Sequence, residues 1–200
     1  MDPRNCSRRE LLLASGALVA GGGSALAIGA CGGSSHSGST STLSTIQLQS
    51  DAIILNALLD QEHSSIAAYR ALSAKLTSAM LASARAFLGQ EQAHAAALAQ
   101  AVKRLGEAPV APKPDAEYQA GFPQLRDASD ALSFALDVEN TAVSAYADAV
   151  GKLATLPLRT LVASIVSTES QHMSVVLGDL GRPQVPQPFV TGPPPQPDTS

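Results

Sequence analysis

The hydrophobic positions between residues 46 and 181 follow a helical period, because apolar residues recur at i, i+3, i+4 and i+7. This pattern predicts four helices, over residues 47–76, 79–106, 127–153 and 156–180. Gly106 and Gly181 stand where the second and fourth helices would end, and Pro157 fits the first turn of the fourth. Short turns join the helices of each pair, whereas a long segment with several prolines joins the pairs. The pattern therefore predicts an all-α, antiparallel four-helix bundle with a long crossover between helices 2 and 3.

The two predicted helix pairs repeat each other in sequence. The first helix contains Asp60-Gln61-Glu62, and the third contains Asp137-Val138-Glu139. The second helix contains Glu91-Gln92-Ala93-His94, and the fourth contains Glu169-Ser170-Gln171-His172. The offsets are 77 residues (62 to 139) and 78 residues (91 to 169). Such a repeat predicts a pseudo-twofold bundle in which the four motifs meet at one level of the core.

Composition narrows the range of functions. Hydrophobic residues make up 45% of the 200-residue chain, while charged residues make up only 15% and the net charge is −4. Because there is no excess of Lys and Arg to neutralise phosphates, we do not expect binding to nucleic acid. The two cysteines, Cys6 and Cys31, both lie near the N-terminus, which excludes a disulfide scaffold and a cysteine-based zinc finger.

Four glutamates lie on the apolar stripes of the predicted helices. They are Glu62, Glu91, Glu139 and Glu169. Burying an unpaired carboxylate is costly, and no Lys or Arg lies on these stripes to pair with one. Two divalent cations would balance the four negative charges. His94 and His172 each follow a stripe glutamate by three positions, so each Glu–His pair shares a helix face and can hold one metal ion. The sequence therefore predicts a two-metal site.

This constellation resembles the ferritin-like di-iron carboxylate superfamily of bacterioferritin and rubrerythrin type. In that family two helices each provide a Glu, and the other two each provide a Glu-x-x-His pair. The resemblance covers about residues 46–181. The metal ligands that it implies are Glu62, Glu91, His94, Glu139, Glu169 and His172. Glu91 and Glu169 would bridge the metals, the other two carboxylates would be terminal or bridging, and each imidazole would bind one metal. A coincidental or decayed site without metal is the alternative interpretation.

Other polar residues near these motifs are candidates for supporting roles. Tyr69 and Tyr146 each follow a stripe glutamate by seven positions and share its face. The resemblance implies that each can hydrogen-bond a ligand carboxylate of a neighbouring helix and so support catalysis; the alternative is an ordinary core tyrosine. His63 points about 100° away from the neighbouring stripe glutamate and is expected at the surface or rim. Asp60 and Asp137 face away from the stripes, and contact with the imidazoles is one interpretation of them.

The predicted ligands suit iron or manganese, because carboxylates with one imidazole per metal and no thiolate favour these ions over zinc or copper. We therefore expect two iron ions, alternatively manganese, in an oxidoreductase of ferroxidase or peroxide-scavenging type that acts on O2 or H2O2. The chain has no Cys-x-x-Cys pair and hence no rubredoxin-like domain, so electrons would come from the iron itself or from an external donor. The alternatives are a non-catalytic metal-binding or stress-related lipoprotein and a metal-free helical interaction module.

The N-terminal segment resembles an export signal. Arg8 and Arg9 precede a long apolar run, as in the twin-arginine signal. This run ends in Ile28-Gly29-Ala30-Cys31, which resembles a bacterial lipobox and implies acylation of Cys31. We therefore expect a lipoprotein anchored on the extracytoplasmic face of a bacterial membrane. An ordinary membrane-spanning anchor is the alternative.

Shifts in composition divide the chain into four segments. We expect an export signal over residues 1–30, a flexible Gly/Ser/Thr tether over 31–45, the bundle over 46–181 and a Pro-rich disordered tail over 182–200.

Overall fold

The computed structural model describes residues 44–185. This part of the chain forms five α-helices and no strand. They are α1 (Thr45–Ser73), α2 (Ser78–Arg104), α3 (Asp115–Gln119), α4 (Ala128–Lys152) and α5 (Leu156–Asp179). The predicted export signal, Cys31, most of the tether and most of the tail lie outside the described residues. None of the helices between residues 44 and 185 offers an apolar stretch that would reach across a bilayer.

The long helices begin and end at residues whose chemistry favours those boundaries. At the start of α1, the Ser44 hydroxyl accepts from the backbone N–H of Gln47, and the Gln47 side chain accepts from the backbone N–H of Ser44. Asp127 caps the start of α4 in a similar way, by accepting from a backbone N–H of the first turn. Gly106 and Gly181 adopt φ angles of 85° and 68°, which are strained for residues with a Cβ. The two glycine stops predicted from the sequence are thus confirmed.

The helices pair as the sequence predicts. α1 packs on α2, α4 packs on α5, and the two hairpins meet through α1 against α4 and α2 against α5. The predicted four-helix bundle with its long crossover is confirmed, and each predicted helix end lies within three residues of the observed one. The short helix α3 within the crossover was not predicted, because its five residues are too few to show a helical period.

The crossover is attached to the outer side of α1. The Asn56 amide donates to the carbonyl of Ala108 and accepts from the backbone N–H of Val110. Farther along α1, Arg70 forms an ion pair with Asp115 of α3 at 2.9 Å. These contacts hold the crossover on the bundle surface, where Val110, Phe122 and Leu125 pack against the core.

A buried carboxylate ties α1 to the start of α5. Asp51 is 0% exposed and accepts hydrogen bonds from the backbone N–H groups of Ala154 and Thr155 and from the Thr155 hydroxyl. The first turn of a helix leaves its backbone N–H groups without intrahelical partners, so a carboxylate at this position is well placed. Asp51 therefore joins the two hairpins at one end of the bundle.

Two apolar clusters fill the core. The first includes Leu55, Leu98, Val102, Leu153 and Val162, and the second includes Leu72, Phe87, Phe134, Ala135 and Val176. On α2, Glu91 lies between Phe87 of the second cluster and Ala95 of the first. On α5, Glu169 lies between Ile165 of the first cluster and Met173 of the second. The buried glutamates therefore lie in a polar layer where the two clusters meet.

Candidate metal centre

Each ligand predicted from the sequence points into the core from its helix. The six are Glu62 on α1, Glu91 and His94 on α2, Glu139 on α4, and Glu169 and His172 on α5. The four glutamates are at most 1% exposed and His172 is 2% exposed. The side chain of His94 is 13% exposed, which makes it the outermost of the six. The apolar residues on the same stripes turn these side chains inward, because they bury the same helix face.

These side chains form two groups, which we call the His94 group (Glu62, Glu91, His94 and Glu169) and the His172 group (Glu91, Glu139, Glu169 and His172). Within each group, one ligand atom from every residue lies within 4.8 Å of the others. Both groups contain Glu91 and Glu169, the carboxylates that the resemblance implies as bridges. The structure therefore brings all six predicted residues together.

Each imidazole turns its Nδ1 toward the carboxylates. His94 Nδ1 lies 2.9 Å from Glu169 Oε1 and 3.7 Å from Glu91 Oε2. His172 Nδ1 lies 3.3 Å from Glu91 Oε1 and 3.4 Å from Glu139 Oε2. Both rings thus present the same nitrogen to the centre of the polar layer.

Eight buried nitrogen and oxygen atoms of these side chains make no hydrogen bond of good geometry, although His94 Nδ1 lies within 2.9 Å of Glu169 Oε1. They are Glu62 Oε2, both carboxylate oxygens of Glu91 and of Glu169, Glu139 Oε2, and the Nδ1 atoms of His94 and His172. Buried polar atoms are nearly always paired, and an unpaired one costs about 1–3 kcal/mol. Oxygen and imidazole nitrogen atoms gathered in this way form a donor set that divalent metals accept. The residues present therefore fit two metal ions.

Two tyrosines cross the bundle to reach the carboxylates of Glu62 and Glu139, the two that belong to one group each. The hydroxyl of Tyr69 on α1 donates to Glu139 Oε1 on α4, and the hydroxyl of Tyr146 on α4 donates to Glu62 Oε1 on α1. Burial and the adjoining carboxylate raise the pKa of each tyrosine, so both hydroxyls stay protonated donors. Each tyrosine holds one carboxylate oxygen and leaves the other oxygen free to face the centre.

The four carboxyl groups divide into two kinds. Burial, reinforced by the neighbouring Glu91 carboxylate, raises the pKa of Glu62 well above its ordinary value. Burial also raises the pKa of Glu139, which the His172 imidazole moderates to about 8. For Glu91 burial acts in the same direction, but the two imidazoles outweigh it and lower its pKa to about 2. They lower the pKa of Glu169 as well. For the side chains alone, the carboxyls of Glu91 and Glu169 therefore favour the ionised form, and those of Glu62 and Glu139 favour the protonated form.

The imidazoles supply the matching positive charge. Burial lowers the pKa of His94, but the carboxylates of Glu169 and Glu91 outweigh it and raise the pKa to about 9. Burial likewise opposes protonation of His172, whose pKa the surrounding carboxylates raise to about 11. Two imidazolium ions then balance the two ionised carboxylates. Protons alone can thus neutralise the cluster, but the eight inward-facing atoms still form no hydrogen bond of good geometry with one another.

A glutamine that the sequence reasoning did not consider holds one of the imidazoles. His172 Nε2 lies 2.5 Å from Oε1 of Gln90, which immediately precedes Glu91 on α2. The ring of Phe87 stacks on the same imidazole, with centroids 4.1 Å apart and planes inclined by 24°. A signal was available in the sequence, since Gln90 and Phe87 lie about one helical turn apart on the face that also carries the Glu-x-x-His pair.

Asp60 and His63 contact the crossover instead of the centre. Asp60 accepts from the Lys113 ammonium at 3.1 Å and from the Tyr118 hydroxyl at 3.0 Å. His63 Nε2 lies 3.4 Å from the carbonyl oxygen of Val110. The interpretation that Asp60 contacts an imidazole is therefore wrong, and its counterpart Asp137 is exposed. The expectation that His63 lies at the rim agrees with its half-buried position.

Comparison with known protein structures places this arrangement in context. A conserved hypothetical protein from Mycobacterium tuberculosis is 19% identical, with a TM-score of 0.60 over 66% of this chain and 98% of that one. A ferritin-like, diiron-carboxylate protein from Bacillus anthracis str. Ames is 22% identical, with a TM-score of 0.57 over 67% of this chain and 97% of that one. The bacterioferritin-related dodecameric thioferritin of Bacteroides fragilis is 19% identical, with a TM-score of 0.56 over 67% of this chain and 88% of that one. These likenesses show a shared fold.

Comparison of sequences identifies the family. No curated protein matches the chain significantly. The ferritin-like domain family, in contrast, matches residues 50–181, which include all four long helices from the second turn of α1 onward and all six clustered side chains. Because this match spans well over half of the sequence, the chain belongs to the ferritin-like domain family.

Proposed function

We propose that this ferritin-like protein binds two divalent metal ions, iron or alternatively manganese, and acts as an oxidoreductase of ferroxidase or peroxide-scavenging type. The observation that carries the proposal is the set of eight buried, unpartnered ligand atoms, which belong to six side chains in two adjoining groups. A merely structural polar layer would be expected to pair its own atoms. This layer pairs only outward-facing atoms: Tyr69 and Tyr146 each hold one carboxylate oxygen, and Gln90 holds His172 Nε2.

Charge balance supports two ions. Four ionised carboxylates carry −4 and two divalent cations carry +4, so the metal-loaded layer would be neutral, as the protonated layer is. The His94 group would hold one ion and the His172 group the other, with Glu91 and Glu169 contributing to both. Metal in place of protons keeps the charge at zero and gives partners to the inward-facing atoms.

The chemistry of the ligands supports iron or manganese. Each group offers three carboxylates and one imidazole, and no cysteine lies between residues 44 and 185. Oxygen-rich ligand sets of this kind suit iron and manganese better than zinc or copper. When bound, a pair of iron ions supplies two one-electron couples, which matches the two electrons needed to reduce H2O2 to water.

The chain's own residues would prepare the site for this chemistry. Tyr69 and Tyr146 hold the terminal carboxylates, and the two apolar clusters exclude bulk water. The His94 side chain is 13% exposed, so a small oxidant would approach the centre past this residue. The electron donor would be the iron itself in a ferroxidase and a separate molecule in a peroxide scavenger.

We also propose that the protein works outside the cytoplasm on a lipid anchor. This part rests on the sequence: the Arg8-Arg9 pair before the apolar run, and Cys31 at the end of the lipobox-like segment. Two acyl chains would be enough for stable attachment to a membrane surface.

Metal analysis of the purified full chain tests the proposal. We expect two metal ions per chain after loading with Fe(II) under anaerobic conditions or with Mn(II), and a sharp fall in Glu91→Gln and His172→Ala. The matched control is Glu107→Gln, which alters an exposed glutamate of the crossover and should keep both ions. Equal, sub-stoichiometric metal in all four proteins would overturn the proposal.

Turnover separates an enzyme from a metal-sequestering protein. Addition of H2O2 or O2 to the Fe(II)-loaded protein should consume the oxidant with an increase in near-ultraviolet absorption from Fe(III). Stable Fe(II) under both oxidants would contradict the oxidoreductase and leave metal binding as the function.

A further inference from the structure

The two halves of the bundle differ around their imidazoles, although the ligands themselves repeat. The offset of 78 residues that relates His94 to His172 also relates Phe87 to Ile165 and Gln90 to Thr168. The first half therefore has an aromatic ring and an amide where the second half has an aliphatic side chain and a hydroxyl.

This difference determines how His172 is held. Its Nε2 contacts Gln90 Oε1, its ring stacks on Phe87, and the residue is 2% exposed. A glutamine oxygen only accepts, so Nε2 carries the hydrogen and Nδ1 remains for the carboxylate side. Packing and hydrogen bond together fix both the tilt of the ring and the nitrogen that it presents to the centre.

His94 has no corresponding support. The Thr168 hydroxyl donates to the carbonyl of Ser164 on its own helix, at 3.4 Å, and within residues 44–185 no hydrogen bond reaches His94 Nε2. With a side chain that is 13% exposed, this ring is held on its inner side alone.

We infer that Gln90 is a positioning residue for His172, and that it makes the two metal positions unequal: an ion at the His172 group is retained, whereas an ion at the His94 group exchanges readily. The inference rests on the proposed function, since it concerns how tightly the same site holds each ion. Outer hydrogen-bond partners of histidine ligands typically contribute about 10- to 100-fold to metal affinity. An imidazole already fixed in its binding orientation also loses less freedom when the metal binds.

The test is a Co(II) titration of the full chain, with Gln90→Leu and the matched control Thr168→Val. Co(II) reports binding through its visible absorption and shifts the imidazole N–H protons of bound histidines far outside the ordinary NMR range. We expect two binding steps in the wild type. One shifted N–H signal should exchange slowly with D2O and the other rapidly.

Gln90→Leu should weaken the tighter step by about 10-fold and abolish the slowly exchanging signal. Thr168→Val should change neither. Gln90→Glu, which keeps an acceptor at the same position, should retain the slow signal and so separates positioning from a general effect on folding.

The outcomes distinguish the inference from the proposal on which it rests. Absence of Co(II) binding in the wild type would refute the proposed function. Two bound ions with equal affinities and equally fast N–H exchange, unchanged in Gln90→Leu, would refute the role of Gln90 while leaving the metal site intact.

Discussion

The hydroxyl of Tyr69 on α1 donates a hydrogen bond to Glu139 on α4, so a residue of the first hairpin orients a candidate metal ligand of the second. The repeat reverses the same relationship, since Tyr146 on α4 donates to Glu62 on α1. Each hairpin therefore depends on the other for the orientation of its terminal carboxylate. This reciprocity explains why the two hairpins are expected to form the centre only when they are packed together.

Removal of one tyrosine hydroxyl should be costly. Tyr69→Phe leaves Glu139 Oε1 buried without its donor, so we expect a loss of about 1–3 kcal/mol in the free energy of unfolding. Metal affinity should also fall, because the carboxylate loses its fixed orientation. Urea unfolding and metal titration measure the two effects. Tyr118→Phe is the control, since its partly exposed hydroxyl bonds Asp60 at the surface; an equal loss in both variants would argue against the role of Tyr69.

The chelator-treated protein should lose stability as the pH rises. Folding raises the pKa of His94 from about 6.5 to about 9. The protonated ring therefore contributes its full stabilisation below about pH 6.5, and this contribution is lost as the pH rises to about 9. Glu139 acts in the same direction, because its folded pKa of about 8 exceeds its unfolded value of about 4.3. We therefore expect the melting temperature to fall between pH 6 and 9. A Mn(II)-loaded sample should not show this fall, and a flat profile after chelation would contradict the account.

Metal binding should release protons. Without metal, the pKa values of Glu62, Glu139, His94 and His172 are all raised, so these four groups favour their protonated forms. Each proton must leave when its group ligates a metal, so apparent affinity should increase with pH. Calorimetry in buffers of different ionisation enthalpy should give up to four protons per chain for two metal ions. Binding without proton release would show that the ions bind elsewhere.

Particular residues show how much of the fold and of the candidate metal centre can be predicted from the sequence. The helices and the six clustered side chains were predictable, because glutamates on an apolar stripe conflict with the ordinary rule of burial, and that conflict is visible in a single sequence. The role of Gln90 was not, because it depends on how α2 packs against α5 and on which nitrogen of His172 faces outward. The path of the crossover along α1 depends on similar contacts, such as those of Asn56.

Charge was only part of the reason for expecting metal. Counting charges on the sequence suggested that four buried carboxylates need cations. In the structure, two imidazolium ions and two protonated carboxyls can provide neutrality without metal. The stronger argument comes from hydrogen bonding, since eight inward-facing atoms have no partner, and this could be seen only in three dimensions.

Asp51 should matter for stability and not for metal binding. Asp51→Ala removes an acceptor of three hydrogen bonds at the start of α5, so we expect a loss of about 2–4 kcal/mol in unfolding free energy. The metal content of the folded protein should stay at the wild-type value. Asp137→Ala, on the exposed side of α4, is the control and should change stability by less than about 0.5 kcal/mol. Loss of metal in folded Asp51→Ala would mean that this end of the bundle contributes to the centre.

The proposed anchor can be tested in cells. Cys31→Ala should move the protein from the membrane fraction to a soluble extracytoplasmic fraction, and replacement of Arg8 and Arg9 by Lys should retain it in the cytoplasm. Fractionation followed by immunoblotting measures both outcomes. Membrane attachment that persists in Cys31→Ala would favour a membrane-spanning anchor over a lipid.

The most direct measurement is a crystal structure of the Mn(II)-loaded protein with anomalous scattering data recorded at the manganese edge. We predict two anomalous peaks in the polar layer, one bonded to His94 Nδ1 and the other to His172 Nδ1, with Glu91 and Glu169 in contact with both. Carboxylates that point to water, or saturating manganese that leaves no peak among these six side chains, would contradict the account.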